Sequence, residues 1–263
     1  MKNFLEEIVA YKKEILKKKK KEDPLELLKA SLEERPLSGS FREAISGSGD
    51  NIALIAEVKK ASPSAGVIRE DFDPVALAGI YEQNGASAVS VITCEKYFQG
   101  RLEYLKDVSE KVNIPVLRKD FIVDEYQIYE ARLWGADAVL LIARILDDDQ
   151  LAEYMDCARG LGMDCLVEVH DTQDLDKVLN SSAEIIGINN RDLTTFNVDL
   201  TVAIKLASLI PDGKIIVAES GIKTKDDISL LRKSGINAIL IGQTLLEAGD
   251  VAGKIKELGF GQD

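Results

Sequence analysis

Hydrophobic positions follow two different spacings along the chain. In the first fifty residues they recur every three to four positions, as at Phe4, Ile8, Tyr11 and Ile15, which is the spacing of one helix face. From Ile52 onward, short runs rich in valine and isoleucine alternate with amphipathic segments of helical spacing. The pattern predicts helices at the N-terminus and then a series of strand–helix units.

Eight apolar runs are predicted to be strands, and a helical segment follows each of them. They are residues 52–59, 88–93, 115–119, 138–143, 164–169, 185–189, 214–219 and 238–242. Gly85, Gly135, Gly162 and Gly235 stand just before strands, where a residue with positive φ is expected to end the preceding helix. Eight such units in about 210 residues favour a (β/α)8 barrel over a doubly wound sheet. A doubly wound sheet usually has a Gly-x-Gly-x-x-Gly turn after its first strand, and Lys59–Ser64 is not such a turn.

We therefore predict an α/β protein of one domain, residues 1–263, folded as a (β/α)8 TIM barrel with an N-terminal helical extension at residues 1–50. Lys17 to Lys21 fall at the end of the first helix, where positive charge suits the helix dipole. We interpret this basic run as a solvated face, which is more common than a binding patch.

Capping residues predict where several helices begin. Asp23, Pro24 and Glu26 form a helix-start pattern, with Asp23 as the cap, and Arg35-Pro36 is predicted to end that helix. Ser40 is predicted to begin a third helix. Asp73-Pro74 repeats the pattern of Asp23-Pro24 after the first strand.

Composition narrows the function classes. The net charge is −12 and the pI is near 4.8, which argues against nucleic acid as a partner but leaves room for a small anion in a local basic site. The three cysteines lack a Cys-x-x-Cys spacing, so we expect reduced thiols, no disulfide and no zinc site. No apolar run has transmembrane length, and the lysines follow the first apolar stripe, whereas in a signal peptide they would precede it. We expect a cytoplasmic protein that does not bind a membrane.

Polar residues stand at the ends of several predicted strands, and in this fold the active site lies at those ends. Glu57 and Lys59 share one face of the first strand, because side chains alternate along a strand. Alone, this pair has an equally good structural interpretation as an ion pair. Lys119, Glu168 and Glu219 follow the same parity on other strands, where they share a face with apolar residues. Charged or amide groups on five strands favour an active site.

The residue types indicate acid–base chemistry. Burial and a second nearby cation would each lower the pKa of Lys59 or Lys119, and a lysine with a pKa lowered toward about 7–8 can act as a general acid. A carboxylate opposite it can act as a general base. Pairing with Glu57 or Glu219 would raise the lysine pKa again, so the sequence leaves the net shift open. A Schiff-base lysine is the alternative role.

Two glycine-containing turns predict a phosphate site. Ser220-Gly221 and Gly242-Gln243 each lie between a strand and a helix start, on the adjacent strands seven and eight. Other conspicuous residues are expected to have no catalytic role. His170 is interpreted as a loop residue, Trp134 as a packing residue, and Asp147 to Asp149 as an acidic helix start. We expect no metal site.

Several motifs together make the chain resemble indole-3-glycerol-phosphate synthases over nearly its whole length. The motifs are Ile55-Ala-Glu-Val-Lys-Lys-Ala-Ser-Pro-Ser64, Lys96-Tyr-Phe-Gln-Gly100, Pro115-Val-Leu-Arg-Lys-Asp-Phe121, Gly187-Ile-Asn-Asn-Arg-Asp-Leu193 and Ala218-Glu-Ser-Gly-Ile222. The resemblance implies ring closure, decarboxylation and dehydration of 1-(2-carboxyphenylamino)-1-deoxyribulose 5-phosphate, without a cofactor, in tryptophan biosynthesis. It implies a phosphorylated small molecule as the partner. We expect a monomer, with other tryptophan-pathway enzymes as further partners to consider.

The resemblance also implies roles for individual residues. Lys119 matches the general acid, Glu168 the general base, and Lys59 a second catalytic lysine. Glu57 and Glu219 resemble positioning carboxylates, and Asn189 and Arg191 resemble residues that hold the substrate. The remaining substrate-binding residues implied are Ser62, an apolar pocket of Phe98, Phe121, Leu140 and Leu193, and a phosphate site of Ser220, Gly221, Gly242 and Gln243.

Two alternative functions agree less well with the sequence. Phosphoribosylanthranilate isomerases resemble this barrel but use a cysteine at the end of the first strand, where this chain has Glu57 and Lys59. A barrel that only binds sugar phosphate would have lost part of the set Lys59, Lys119 and Glu168, and all three are present. A separate hypothesis is that the N-terminal helices cover the barrel mouth and exclude water; the alternative is that they only pack against its side.

Overall fold

Eight parallel strands close into a barrel in the computed structural model, which describes residues 4–32, 39–47, 51–193 and 195–261. Each strand pairs with its neighbours in chain order, and the last pairs with the first. The strands are β1 Ala53–Val58, β2 Ala88–Ile92, β3 Val116–Lys119, β4 Ala138–Ile142, β5 Asp164–Val169, β6 Ile185–Asn189, β7 Ile215–Glu219 and β8 Ala238–Ile241. The predicted fold class and all eight strands are confirmed.

Helices surround the barrel and form the extension. They are α1 Phe4–Glu22, α2 Leu25–Ala30, α3 Phe41–Ile45, α4 Pro74–Gln83, α5 Glu95–Phe98, α6 Leu102–Lys111, α7 Tyr126–Leu133, α8 Asp148–Gly160, α9 Thr172–Leu179, α10 Thr201–Ala207, α11 Lys225–Lys233, α12 Gln243–Leu246 and α13 Val251–Glu257, with a 3-10 turn at Ala143–Ile145. Two short antiparallel strands, Ala61–Ser62 and Gly66–Val67, form a hairpin after β1. Within the described residues, no helix is long and apolar enough to span a membrane.

Alternation along the strands separates the barrel interior from the surface that faces the helices. Leu117, Leu166 and Val217 belong to the apolar cluster inside the barrel, two residues before Lys119, Glu168 and Glu219 respectively. Their strand neighbours, such as Val116 and Val167, pack against the outer helices instead. The charged side chains therefore cap the interior at the carboxyl ends of the strands, as the parity predicted.

The predicted caps mostly form. Asp73 accepts hydrogen bonds from the backbone of Val75 and Ala76, with Pro74 at the first helical position. Asp147 forms a capping box with Gln150, which confirms the acidic helix start. Ser40 accepts from the backbone of Glu43. The four glycines before strands all have positive φ, between 75° and 89°.

The extension covers both ends of the barrel. Leu5 and Ile8 of α1 pack in the interior cluster together with Phe121 at the carboxyl end of the barrel. At the opposite end, α3 packs against β1 and β2, and the backbone of Arg42 donates to Asp164 at 2.9 Å, at the start of β5. The short helix α2 joins these two regions along the side and packs against α7.

Two predictions about the extension are wrong, and a third is only partly confirmed. The buried face of α1 is Leu5, Ile8, Lys12 and Leu16, which shares only Ile8 with the predicted stripe. The aromatic rings of Phe4 and Tyr11 lie at the rim, where both contact Tyr97 edge-on, and Asp120 draws Lys12 into the core. The apolar spacing alone therefore did not determine which face of α1 is buried, because the Lys12–Asp120 ion pair and the aromatic contacts at the rim also orient the helix.

Asp23 does not cap α2. The first helix runs to Glu22, the backbone of Asp23 still donates to Lys19, and Pro24 occupies the cap position without a side-chain cap. The helix ends at Ala30, and the predicted terminator Arg35-Pro36 lies outside the described residues.

The lysine run is only partly a solvated face. Lys19 forms an ion pair with Glu130 of α7, and Lys20 pairs with Asp124 at 2.6 Å. Two carboxylates near α7 thus recruit two of the five lysines, and the other three remain exposed.

Candidate active site

A cavity of about 1150 Å³ opens at the carboxyl ends of the strands. All of the sixteen residues that the sequence predicted for the site line it: Glu57, Lys59, Ser62, Phe98, Lys119, Phe121, Leu140, Glu168, Asn189, Arg191, Leu193, Glu219, Ser220, Gly221, Gly242 and Gln243. The fold therefore brings the whole predicted set together, from the carboxyl ends of all eight barrel strands and the segments that follow them.

Two half-buried lysines and three buried carboxylates form the centre of the site. The Nζ atom of Lys119 lies 2.8 Å from Oε2 of Glu219 and 3.4 Å from Oε2 of Glu168. Lys59 forms an ion pair with Glu57 across the first strand end. The ion pair considered from the sequence therefore exists, and it stands in the wall of the shared cavity.

The pairing of the strands and the space beside two glycines determine where the carboxylates of Glu219 and Glu57 lie. Asn189 and Glu219 are direct partners on β6 and β7. Gly187 leaves room for the Glu219 side chain, because a Cβ at position 187 would lie 2.4 Å from its Oε1 atom. Gly242 does the same for Glu57, whose Oε1 would lie 2.3 Å from an added Cβ. A role for Gly242 beside Glu57 was not foreseen, because the sequence suggested only a phosphate turn there.

The electrostatics differ from the lowered lysine pKa considered from the sequence. Burial disfavours the Lys119 ammonium, but Glu219, Glu168 and Glu57 outweigh this effect and raise the pKa of Lys119. Burial raises the pKa of Glu219 to about 7, assisted by repulsion from Glu168 and Glu57 and opposed by Lys119. Burial opposes ionisation of Glu168 as well, but Lys119 and His170 lower the pKa of its carboxyl. The free site thus holds a charged lysine, an ionised Glu168 and a Glu219 that titrates near neutrality.

The loop after β6 fixes the amide and guanidinium groups. The Nδ2 atom of Asn189 donates to Glu168 at 3.2 Å, and its Oδ1 accepts from the backbone of Arg191 at 3.0 Å. Asn190 points the other way and donates to the backbone oxygens of Glu219 and Ser220. Asn190 therefore ties β6 to β7, whereas Asn189 faces the cavity.

One side of the cavity is apolar. The rings of Phe98 and Phe121 lie 6.2 Å apart, and Leu140 and Leu193 adjoin the same cluster. Phe4 of the extension also lines this side and contacts Phe196 edge-on at 5.4 Å. This wall can receive a flat aromatic group.

The other side carries the two predicted turns. Ser220 and Gly221 have φ angles of 66° and 83°, and Thr244 ties this turn to the next by donating to the backbone oxygen of Ile222 at 2.7 Å. The side chain of Gln243 donates to Glu247. Ser62 accepts from the backbone of Ala65 in the hairpin at the rim. Left-handed backbone at successive residues exposes amide groups of the kind that bind anions.

Some cavity residues were missed from the sequence. Phe4 had been assigned to a helix stripe, Phe196 lies in a loop without periodicity, and Lys254 comes from α13. Cys94 also lines the cavity, but burial raises the pKa of its thiol to about 12. Cys94 follows β2 and does not belong to the end of β1, which carries Glu57 and Lys59.

His170 is a loop residue, as predicted, but it is buried beside Glu168. Its Nε2 atom lies 3.3 Å from Oε1 of Glu168, outside the cavity. The two-residue spacing from Glu168 is the signal that could have indicated this contact, because side chains two apart along an extended chain share a face. Trp134 packs against the outer core, in agreement with its predicted role.

Comparisons with known proteins support the resemblance drawn from the motifs. The family model described as indole-3-glycerol phosphate synthase matches residues 5–258. The indole-3-glycerol phosphate synthase of Dehalococcoides mccartyi is 54% identical over 213 residues, which are 80% of this chain and 82% of that protein. That of Endomicrobium trichonymphae is 47% identical over 257 residues, 97% of this chain and 99% of that protein.

Solved structures confirm the barrel. A 3-hexulose-6-phosphate synthase has a TM-score of 0.64 at 17% identity, over 79% of this chain and 98% of that one. A thiamine phosphate pyrophosphorylase from Pyrococcus furiosus has a TM-score of 0.59 at 17% identity, over 78% of this chain and 93% of that one. At such identities the likeness concerns the fold alone. The family model and the close relatives together establish that the chain belongs to the indole-3-glycerol phosphate synthase family.

Proposed function

We propose that the chain converts 1-(2-carboxyphenylamino)-1-deoxyribulose 5-phosphate into indole-3-glycerol phosphate, a step of tryptophan biosynthesis, and so acts as a carboxy-lyase. One observation carries the proposal. The Lys119 ammonium lies between Glu168 and Glu219 in a cavity that has an apolar wall on one side and two anion-binding turns on the other. The substrate has the matching order of groups: an aromatic ring, a carbonyl and hydroxyls, and a phosphate.

In the first step, the ring carbon that bears the carboxylate attacks the ketone carbon, and a carbon–carbon bond forms. The ketone oxygen becomes an alkoxide and takes a proton from Lys119. The raised pKa of Lys119 keeps the proton in place until the far more basic alkoxide develops. Carbon dioxide then leaves, and the electron pair of the broken bond restores the aromatic ring.

In the second step, the new hydroxyl leaves as water. A proton from an acid converts the hydroxyl into a leaving group, and a base removes a proton from the neighbouring methylene carbon. Glu168 is ionised and faces the cavity, which suits the base. Lys59 is assigned as the second catalytic lysine, and its proton is available for the departing hydroxyl. The steps are redox-neutral, and the lysine and carboxylate groups of the site supply the proton transfers.

The remaining residues hold the substrate. Phe98, Phe121, Leu140 and Leu193 enclose the aromatic ring, and Ser220, Gly221, Gly242 and Gln243 surround the phosphate, together with Ser62 at the rim. Asn189 and Arg191 lie where they can bind the substrate carboxylate and hydroxyls. Glu57 forms an ion pair with Lys59 and directs it at the cavity, and Glu219 does the same for Lys119.

The test is direct. Purified protein is mixed with the substrate, and the fluorescence of the indole product is followed while carbon dioxide release is measured. Equal rates of both signals support the proposal. A Lys205→Met variant, which alters an exposed lysine on α10, serves as the control and retains the parent rate. Tight substrate binding without product would identify a binding barrel instead and reject the proposal.

A further inference from the structure

Both carboxylate oxygens of Glu168 have a partner, but on opposite sides. The Oε2 atom faces the cavity, where Asn189 lies 3.2 Å and Lys119 lies 3.4 Å away. The Oε1 atom faces away from the cavity and lies 3.3 Å from Nε2 of His170. A carboxylate with contacts on both sides is fixed in rotation about its last torsion, which a general base requires for its geometry.

His170 is itself held from behind. Its Nδ1 atom lies 3.6 Å from Oδ2 of Asp174 on α9, and its backbone N–H donates to the same oxygen at 3.0 Å. Arg144, in the turn after β4, lies 2.9 Å from Asp174 and also pairs with Asp171. The chain of charges runs from the cavity outward as Glu168, His170, Asp174 and Arg144.

The imidazole is enclosed between two carboxylates. The His170 side chain is 4% exposed. Among the described residues, its two ring nitrogens make ion-pair contacts with Glu168 and Asp174 but no hydrogen bond of good geometry. Burial disfavours the charged ring, but the contacts with Asp174 and Glu168 outweigh both this effect and repulsion from Arg144, and raise the pKa of His170. Protonation therefore gives each carboxylate a cationic partner.

We propose that His170 is a positioning residue for this reaction, which holds the Glu168 carboxylate ionised and turned toward the substrate. It does not line the cavity and does not touch the substrate. Its role depends on Asp174, which orients the imidazole, and on Arg144, which anchors Asp174. The inference rests on the proposed function, in which Glu168 is the base.

The chain contains one histidine, which makes the proposal directly measurable. In protein produced without a histidine tag, the imidazole proton signals in an NMR titration belong to His170 alone. We expect a pKa above the ordinary value of about 6.5 that falls by about one pH unit in Asp174→Asn and in Glu168→Gln. Asp176→Asn, at an exposed position on the same helix as Asp174, is the control and leaves the titration close to that of the parent. Titration at the ordinary value, unmoved by Asp174→Asn and Glu168→Gln, would overturn the proposal.

Kinetics provide the second test. His170→Leu removes a charged partner of the base, so kcat falls about 10- to 100-fold while KM stays within about threefold. The acid limb of the kcat profile moves to higher pH, because Glu168 becomes easier to protonate. His170→Gln keeps an N–H donor near the Nε2 position and recovers part of kcat. A loss of kcat with an unmoved acid limb would mean that His170 only supports packing, and would reject the role.

Two further measurements distinguish misfolding of a variant, rejection of the proposed function and rejection of the role of His170. If His170→Leu does not fold, Asp174→Asn perturbs the imidazole without touching Glu168, and the same shift of the acid limb is expected. Absence of product with the parent protein would reject the proposed function. The NMR titration needs no turnover and would still decide whether His170 and Glu168 are coupled.

Discussion

The Nζ atom of Lys119 lies 2.8 Å from Oε2 of Glu219, closer than its 3.4 Å distance from Glu168. One buried cation is thus shared unequally between two carboxylates. The carboxyl with the shorter contact is also the one whose pKa is raised to about 7 by burial and by its neighbouring carboxylates. Ionised Glu219 holds Lys119 and leaves Glu168 free to act, whereas protonated Glu219 leaves Lys119 to pair with the base.

Glu219→Gln should therefore change the pH dependence of the reaction. We expect kcat/KM of the parent to fall as the pH drops below about 7, because Glu219 becomes neutral there. The variant has a neutral side chain at every pH, so at pH 8 its kcat/KM is about tenfold lower and the limb near pH 7 is absent. Steady-state kinetics from pH 5.5 to 9 give the comparison, with exposed Glu184→Gln as the control. An unchanged limb in Glu219→Gln would assign it to another group.

Lys119 can be tested for its role as a proton donor. Lys119→Met should lower kcat by at least about 100-fold with a small change in KM, because the lysine acts in the transition state. Lys119→Arg keeps the positive charge, but its planar guanidinium does not place a proton at the position of the lysine Nζ atom, so it should bind substrate normally and lose most of kcat. Single-turnover measurements with product detection distinguish the cases. Near-parental turnover of either variant would remove Lys119 from the mechanism.

A single glycine is expected to control the position of Glu219. In Gly187→Ala the added Cβ would lie 2.4 Å from Oε1 of Glu219 and 3.1 Å from the Leu166 side chain. We expect kcat/KM to fall about 10-fold or more and the free energy of unfolding to fall by about 1–3 kcal/mol, as for overpacked cores. Gly160→Ala, at the end of α8, is the control because nothing lies within 4 Å of its added Cβ. Normal activity of Gly187→Ala would show that the position of Glu219 is not critical.

The strands and the direction of their charged residues could be predicted because both depend on local alternation. Lys119, Glu168 and Glu219 follow apolar residues of the same parity, so the barrel alone directs them to one cavity. The burial of Lys12 could not be predicted, because it depends on a distant partner. Lys12 lies outside the predicted apolar stripe, and it is buried because Asp120, 108 positions away, lies against it. His170 lies two positions after Glu168 and four before Asp174, so its partners are near in sequence, but strand alternation does not determine how the loop after β5 turns its ring between them.

The sequence left the net pKa shift of Lys119 open for a related reason. Burial and a second cation both favour a lowered value, and both are visible from residue types. The net effect on Lys119 depends on three carboxylates at close range, and the sequence did not determine these distances. Electrostatic sums of opposing contributions are therefore the least predictable part of the site.

Phe4 provides a test of whether α1 acts as a lid. The side chain lines the cavity and packs edge-on against Tyr97 and Phe196. Phe4→Ala opens the apolar side to water, so KM should rise about threefold to tenfold through loss of contact with the aromatic ring of the substrate. Tyr11→Ala removes a rim aromatic that does not line the cavity and is the control. Unchanged KM and kcat in Phe4→Ala would favour a purely packing role for the helix.

Lys12 joins the extension to the catalytic strand. Its Nζ atom lies 2.8 Å from Asp120, the residue between Lys119 and Phe121, and Asp120 also binds Thr93 and Arg118. Lys12→Met leaves Asp120 with these two partners. We therefore expect the free energy of unfolding to fall by about 1–3 kcal/mol, less than when a buried charge loses its only partner.

The pH dependence of this loss follows from both partners. Attraction to Asp120 raises the pKa of Lys12 despite burial, so its contribution is complete below about pH 10.5 and is lost as the pH rises through the folded-state value. Lys12 and Arg118 lower the pKa of Asp120 despite burial, so its contribution is present above about pH 3.8 and is lost as the pH falls through the folded-state value. Urea unfolding of Lys12→Met and the parent should thus give a constant difference between pH 5 and 9. Lys13→Met, exposed on the same helix, is the control, and a Lys12→Met loss no larger than that of Lys13→Met would show that the ion pair does not hold the extension.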